Sequence, residues 1–305
     1  MIDLRRLLLL RELHARGTVS AVAEALAYSP SAVSQSLAAL QREAGVPLTE
    51  RVGRRLWLTE AGLRLVEHAD VLLARLEIAE AELQAAAQLV AGRLRLGALQ
   101  TPSLSLVPSA LAALAQRHPA LRVELLEIEP EQSLPAVALG ELDVAIAEEY
   151  EHALRAVPPS LEREELCRDE ILVVLPADHP LAESGEPVRL AALAGEPWIS
   201  GHPETGWADM LSGACRRLGG FEPDVRHRAN DVAIMLAVIG AGQAVGLLPR
   251  LGHQPGRPGV AARRIAEADL ARTIYAFHRR STAARPAVRA LVDALRAASA
   301  ELPER

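Results

Sequence analysis

Between Ser29 and Gly45 the chain sets small polar residues on one side of a helical repeat and branched apolar ones on the other. Ser29-Pro30 is a capping serine followed by proline at the first helical position. That order is favoured because proline lacks an amide hydrogen that the first turn would leave unbonded. Val33, Leu37 and Leu40 recur at i, i+4 and i+7, the buried stripe of a helix predicted over Pro30–Glu43. Ser31, Ser34, Gln35 and Ala38 then face outward. Serine and glutamine can bond base edges or phosphates, and small neighbours let such a helix sink into a major groove. Downstream, Val52-Gly53-Arg54-Arg55 reads as a turn between Leu48–Arg51 and Leu56–Leu58, and Arg51, Arg54 and Arg55 gather there. Arginines on such a two-stranded wing would meet the phosphate backbone or a minor groove.

These groups need a scaffold, and the preceding residues supply one. Leu4, Leu7, Leu8 and Leu10 mark a first helix over 4–15 that stops at Arg16-Gly17. Thr18 or Ser20 can cap a short second helix, Val19–Leu26, with Val22, Ala23 and Leu26 as its apolar face. Two short helices joined by a tight turn make a helix-turn-helix. Ser20 at the second helix's start joins the groups that can face a nucleic acid, and residues 1–58 are expected to form a winged helix-turn-helix domain. Residues 1–66 hold nine arginines against six acids, whereas the remaining 239 residues hold 24 arginines against 33 acids. Only the N-terminal segment is biased toward a polyanion.

A long helix is predicted over 59–91. Thr59 can cap it, Glu60 complements its positive end, and Gly92 ends it. At ~1.5 Å per residue it would reach about 50 Å, more than a small head domain needs. Leu65, Ala69, Leu72, Leu76, Ala79, Leu83, Ala86 and Val90 step alternately by four and three, the repeat of a coiled-coil seam. Such a seam either pairs with its twin or lies along its own chain.

From residue 92 onward, strand and helix patterns alternate. Strands are expected at 93–99, 121–128, 144–147, 171–175, 244–248 and 273–277. Helices are expected at 103–116, 207–218, 231–240 and 286–298. That alternation indicates an α/β fold with mainly parallel sheets.

The stretches Thr18–Leu26, Ser29–Leu48 and Glu50–Gly62, with the entry Leu58-Thr-Glu-Ala-Gly62, closely resemble LysR-type transcriptional regulators. The resemblance is specific over about 65 residues and continues diffusely to the C-terminus. It implies that base and phosphate contacts fall at Pro30, Ser31, Ser34, Gln35 and Arg54, and that the long helix forms the dimer. It further implies that 92–305 is a periplasmic-binding-protein-like effector domain, with lobe one at about 92–166 and 268–305 and lobe two at about 167–267. The partners implied are double-stranded promoter DNA, a small-molecule effector held between the lobes, and further copies of the chain in a dimer or a dimer of dimers. Pro30 stands where the family often has glutamine and Gln35 where it often has arginine, so base preference does not carry over. Thr49 at a usually apolar wing position and a first helix without the common aromatic read as packing variations.

Within that frame the candidate effector contacts follow strands or open helices. Gln100, Thr101 and Ser103 follow the first strand, where free amides and hydroxyls favour an anion or a carbonyl. The family's effector contacts often fall on Thr101 and Ser103, and both also read as plain caps. Ser200 and His202 follow a Trp198-Ile199 strand, with His202 equally readable as a simple loop residue. Glu148-Glu149 ends the 144–147 strand, as either a solvated pair or, through Glu148, a receptor for an ammonium group.

The chain has 305 residues, formal net charge −6 and half its residues hydrophobic, enough to bury cores in two or three domains. Two cysteines, Cys167 and Cys215, exclude a disulfide scaffold, and a cytoplasmic protein is expected. A signal peptide and a membrane span are not expected. His/Cys spacing fits no metal site, and no GxSxG elbow or Walker loop occurs, so neither a cofactor nor an enzymatic activity is expected. Gly240-Ala-Gly-Gln-Ala-Val-Gly246 precedes a strand and reads as a connection, not a phosphate loop. A cysteine redox switch has no flanking motif to support it. A solute-binding or enzymatic α/β protein with an incidental helical head, and a ligand-blind architectural DNA binder, are the competing functions.

Overall fold

A computed structural model describes residues 1–52, 55–87, 90–150, 156–252 and 257–302, with backbone only at Arg55. The chain separates into two units, Met1–Ala87 and Gln88–Arg305.

In the first unit, helix α1 (Leu4–Arg16) starts at Asp3, whose carboxylate accepts the Arg5 amide at 2.7 Å, and ends at left-handed Gly17. Helix α2 (Val19–Ala25) is capped by Thr18, whose Oγ1 accepts the Ala21 amide at 3.2 Å. Ser20 is therefore an exposed first-turn residue and not the cap. The chain then turns through Ala27 at φ 55°, a left-handed conformation costly for a residue with a Cβ. Ser29 caps helix α3 (Pro30–Ala44) by accepting the Ala32 amide. Leu7, Leu10, Leu13, Val22, Val33, Leu37, Leu40 and Leu48 close one core. Each large member removed from water contributes about 1.5–3 kcal/mol.

Strands β1 (Thr49–Val52) and β2 (Arg55–Leu58) pair antiparallel with Thr49 opposite Leu58. The Gln41 side chain at the end of α3 accepts the Leu48 and Thr49 amides at 2.9 and 3.1 Å, tying this wing to the third helix. Thr59 caps helix α4 (Glu60–Ala86), and its hydroxyl donates to the Pro47 carbonyl at 2.8 Å. A Cβ on Gly62 would stand 2.1 Å from the Leu48 carbonyl oxygen, so only glycine lets this helix cross the wing so closely. The seam divides where α4 leaves the head. Ala69 is fully buried in the head core and Leu65 packs against it, so neither is free to face a twin. Leu72, Leu76 and Leu83 are 50, 44 and 73% exposed.

The second unit opens with β3 (Gly92–Ala98), α5 (Gln100–Ser105), α6 (Val107–Arg117), β4 (Leu121–Glu127), α7 (Pro130–Leu139) and β5 (Val144–Tyr150). The single helix expected over 103–116 is two, because Pro108 has no amide with which to continue the hydrogen-bond ladder out of α5. Strand β6 (Leu161–Pro176) is 16 residues long, three times the expected 171–175. Its first half is rich in charge and lacks the apolar run that marks the second. There follow β7 (Pro197–Ser200), α8 (Gly206–Ala214), β8 (Asp224–Arg228), α9 (Val232–Gly240), β9 (Gly246–Pro249), β10 (Val260–Arg263), β11 (Ala271–Arg279) and α10 (Pro286–Ala300).

The sheet is mixed, which corrects the expectation of mainly parallel strands. Strand β3 pairs β4 and β5 in parallel, whereas β11 pairs β5 and β6 antiparallel and β6 pairs β9 and β10 antiparallel. Returning strands of this kind build two lobes from one chain. Residues 161–170 of β6 pair with β11 in lobe one, and residues 171–176 pair with β9 and β10 in lobe two. The second crossing runs between β10 and β11. Leu94, Leu96, Leu106, Val107, Ile274 and Leu291 anchor the core of lobe one, while Val173, Leu175, Trp198, Leu211, Met235 and Leu247 anchor that of lobe two.

Candidate nucleic-acid interface and effector cleft

Helix α3 presents Pro30, Ser31, Ser34, Gln35 and Ala38 as exposed residues and buries Val33, Leu37 and Leu40 behind them. The Ser31 hydroxyl lies 3.0 Å from that of Ser29, so the capping serine also orients its neighbour. Arg51 is exposed on β1. Arg54 and the Arg55 side chain lie outside the described residues. Trp57, opposite Glu50 on the wing, is 52% exposed and was not singled out from sequence. The arrangement is a small polar helix face in the same unit as a wing strand with an exposed arginine, groups able to bond phosphates and base edges.

In the second unit a cleft opens where α5 meets the far lobe. Gln100, Thr101, Glu129, Glu148, Tyr150 and Arg272 contribute from lobe one, with Leu99 and Glu131 at their side. Thr205, Trp207 and Asn230 contribute from lobe two. Gln100 reaches across. Its side-chain oxygen accepts the Val232 amide at 2.7 Å, and its bond to Asp231 holds that carboxyl below the usual range. Glu129 bonds the Asn230 side chain, a second cross-lobe link.

Arg272 is 2% exposed in the cleft wall and lies opposite Asp169, where β6 passes between lobes. Its Nε and Nη2 donate to the Asp169 carboxylate at 2.9 and 2.8 Å, and Nη2 also donates to Thr101 Oγ1. Asp169 accepts the Leu251 amide at 3.0 Å as well. A buried charge pair is tolerated only when its remaining bonding capacity is met in this way. Burial, then the neighbouring Glu148, Glu131 and Glu127, push the Glu129 carboxyl up to about 7, against a bond from Asn230 that lowers it. Glu148, on β5, is 7% exposed. Its neighbour Glu149 points to the other face and pairs with Arg163. Both are buried, so the solvated-pair alternative does not hold.

Of the six residues expected to contact an effector, Gln100, Thr101 and Glu148 therefore line the cleft. The other three do not. The Ser103 hydroxyl donates back to the Leu99 carbonyl at 2.9 Å, the usual fate of a serine in a first helical turn. Ser200 is 1% exposed and outside the lining. His202 is exposed, with its amide bound to Asn230 and its carbonyl accepting from Thr205. Sequence reasoning missed Arg272, Glu129, Tyr150, Trp207 and Asn230. Arg272 falls just before the strand expected at 273–277, so its burial against Asp169 shows only in the fold.

Burial raises both thiols, Cys167 to about 11 and Cys215 to about 12. Each is held as a thiol near neutral pH, and thiolate is the species that reacts with oxidants. Among the described residues, no group of three or more His, Cys, Asp or Glu could hold a metal ion, and no helix is long and apolar enough to cross a membrane.

Residues 4–63 match the bacterial regulatory helix-turn-helix family of LysR type, and residues 87–300 match the LysR substrate binding domain. The chain is 30% identical over 290 residues to a probable regulator, LrrA, of Synechococcus elongatus, covering 94% of each. It is 29% identical to the Escherichia coli dual regulator OxyR over 274 residues, 88% of this chain and 87% of that one. Among solved structures, a variant of full-length OxyR from Pseudomonas aeruginosa superposes with a TM-score of 0.69 at 20% identity, covering 97% of this chain and 95% of that one. Full-length CbnR with its target DNA gives 0.57 at 22% identity, over 97% and 100%. Reading head and sensing half thus both have their counterparts in one family, and the chain belongs to the LysR-type regulators, oligomeric DNA-binding transcription factors that answer to small-molecule effectors.

Proposed function

We propose a division of labour in which residues 1–58 read operator DNA, 59–91 join protomers, and 92–305 convert effector binding into altered operator contacts. Ser20, Pro30, Ser31, Ser34, Gln35, Arg51, Arg54 and Arg55 are the residues assigned to DNA. Gln100, Thr101 and Glu148 are assigned to the effector, with Arg272 fixing Thr101. Cytoplasmic action, with no cofactor beyond the effector, fits a promoter-bound protein. The observation that carries the reading is the outward strip Pro30-Ser31, Ser34-Gln35 on a helix capped by Ser29 and backed by Val33, Leu37 and Leu40. Nothing bulky or charged on that strip keeps the helix backbone from approaching base edges.

The test is nuclease protection of DNA upstream of the protein's own gene, repeated with Ser34→Ala and Gln35→Ala. A residue that reads a base shifts preference among operator variants by about 1–3 kcal/mol. An equal loss on every sequence would make it a positioning contact instead. The names of some relatives refer to peroxide. The raised thiols of Cys167 and Cys215 favour reversible ligand binding over thiol oxidation here.

A further inference from the structure

We propose that lobe one carries a second ligand site, a groove between α6 and α10 that takes a small organic anion. The site is independent of the interlobe cleft, with which it shares no lining residue. Helix α10 turns one face to the groove, from Pro286 through Arg289 to Ala294, and the end of α6 supplies Leu114, Arg117 and His118. Ala113, Ala290 and Ala294 stand where two neighbouring helices would otherwise interleave larger side chains. They leave a hollow of about 290 Å³. That is close to the lower end of the roughly 300–1,000 Å³ of small-ligand pockets. Its floor is apolar, with Leu114 and Ala294 buried.

The groove's arginines stand apart from the others of this lobe. Residues 67–305 hold 24 arginines against 33 acids, so carboxylates are in excess. Among the described residues of lobe one, every other arginine donates to a carboxylate or a carbonyl. Arg296, on the same helix, serves Glu164 and Asp293, and Arg285 at the helix start serves Asp143. Arg117 and Arg289 have no side-chain partner, and both line the one hollow. The His118 ring is unpartnered as well. Its backbone is fixed, the amide donating to the Leu114 carbonyl at 2.8 Å and the carbonyl accepting the Leu121 amide at 2.9 Å. Asp293, the one acid among the described lining residues, has Arg296 at 3.5 Å. Two guanidinium forks and a ring N–H over an apolar floor match a carboxylate or phosphate monoester on a short apolar body. Both arginines are exposed, so water screens them while the groove is open. A ligand whose body covers Leu114 and Ala294 would displace that water and strengthen its bonds to both.

The experiment is isothermal calorimetry on the full-length protein with an aromatic and an aliphatic set of probes. The first is benzoate, phenyl phosphate, benzyl alcohol and benzylamine; the second is succinate, 1,4-butanediol and 1,4-diaminobutane; inorganic phosphate is the bare head group. At least one organic anion should bind at least about tenfold more tightly than its neutral and cationic counterparts. Whether the carboxylates or the phosphate ester lead names the head group. Arg117→Gln and Arg289→Gln should each weaken that anion at least about tenfold, as loss of a charged hydrogen bond does. Ala290→Leu fills the hollow with a good helix former and leaves the charge alone, and it should weaken the anion to a similar degree. Near-ultraviolet circular dichroism checks that each variant folds, and Ala290→Leu carries the test should an arginine variant not. An anion that binds these variants as it binds the parent sits elsewhere, in the cleft or on the reading head, and overturns the groove. Inorganic phosphate bound as tightly as every organic anion overturns the organic class. Silence from all the anions overturns the proposal and leaves the cleft reading untouched. A flatter salt dependence of operator binding in the variants, without anion binding in the parent, would give the two arginines to DNA instead.

Discussion

Replacing Arg272 with methionine keeps most of the stem's volume and removes the guanidinium, leaving the Asp169 carboxylate 1% exposed with the Leu251 amide as its remaining described donor. Two charges about 4 Å apart attract by about 4 kcal/mol at an effective dielectric near 20. Desolvation of both offsets much of that, so the intact pair is worth little net. The broken pair is another matter, because the surviving charge has already lost its water. Arg272→Met should therefore destabilise the sensing half by about 3–5 kcal/mol. Arg272→Met/Asp169→Leu should recover at least about 2 kcal/mol of that, since no orphaned charge remains. Urea unfolding followed by tryptophan emission reads this directly. The chain has three tryptophans, and Trp57 is 52% exposed on the wing. In a Trp57→Phe background the signal comes from Trp198 and Trp207, both in lobe two. A loss below about 1 kcal/mol for Arg272→Met, or a double variant that costs the sum of the singles, would refute the argument.

Three further outcomes are expected. Glu129 titrates at about 7 in the folded chain against 4.5 for a free carboxyl, so its stabilising proton is fully present below 4.5 and lost as pH rises through about 7. After screening, Glu129→Gln should remove about 1–2 kcal/mol of the stability lost between pH 5 and pH 8, read by urea titrations at both. Arg54→Ala should flatten the salt dependence of operator binding by about one unit across all sequences. Unchanged slopes would take Arg54 out of the interface. Leu76→Glu, on the exposed stretch of α4, should weaken self-association at least about tenfold by sedimentation while the head, whose core excludes Leu76, stays folded. An unaltered dimer would move the interface elsewhere.

Local code carried the head almost unaided. Caps at Asp3, Thr18, Ser29 and Thr59, glycines at 17 and 45, and the i, i+4, i+7 stripe of α3 all act within a few residues, so their signals sit side by side in the chain. Gly62 was legible as part of a motif, yet its reason, the Leu48 carbonyl 2.1 Å from where a Cβ would be, belongs to the fold. The seam shows the boundary between the two. Its periodicity is local, but which leucines are free depends on the head having claimed Leu65 and Ala69.

The sensing half was legible as alternating strands and helices and no further. Strand direction, and the long β6 that serves both lobes, depend on pairings across up to about a hundred positions, for which a single sequence carries no local mark. The cleft was decided the same way. Gln100, Thr101 and Glu148 could be named because they stand at element ends, where side chains near a strand's exit are free to face a ligand. Arg272 meets Asp169 across 103 positions and Glu129 meets Asn230 across the cleft. Charge type and helical period are properties of neighbours in the chain, whereas the sign of a pocket is a property of neighbours in space.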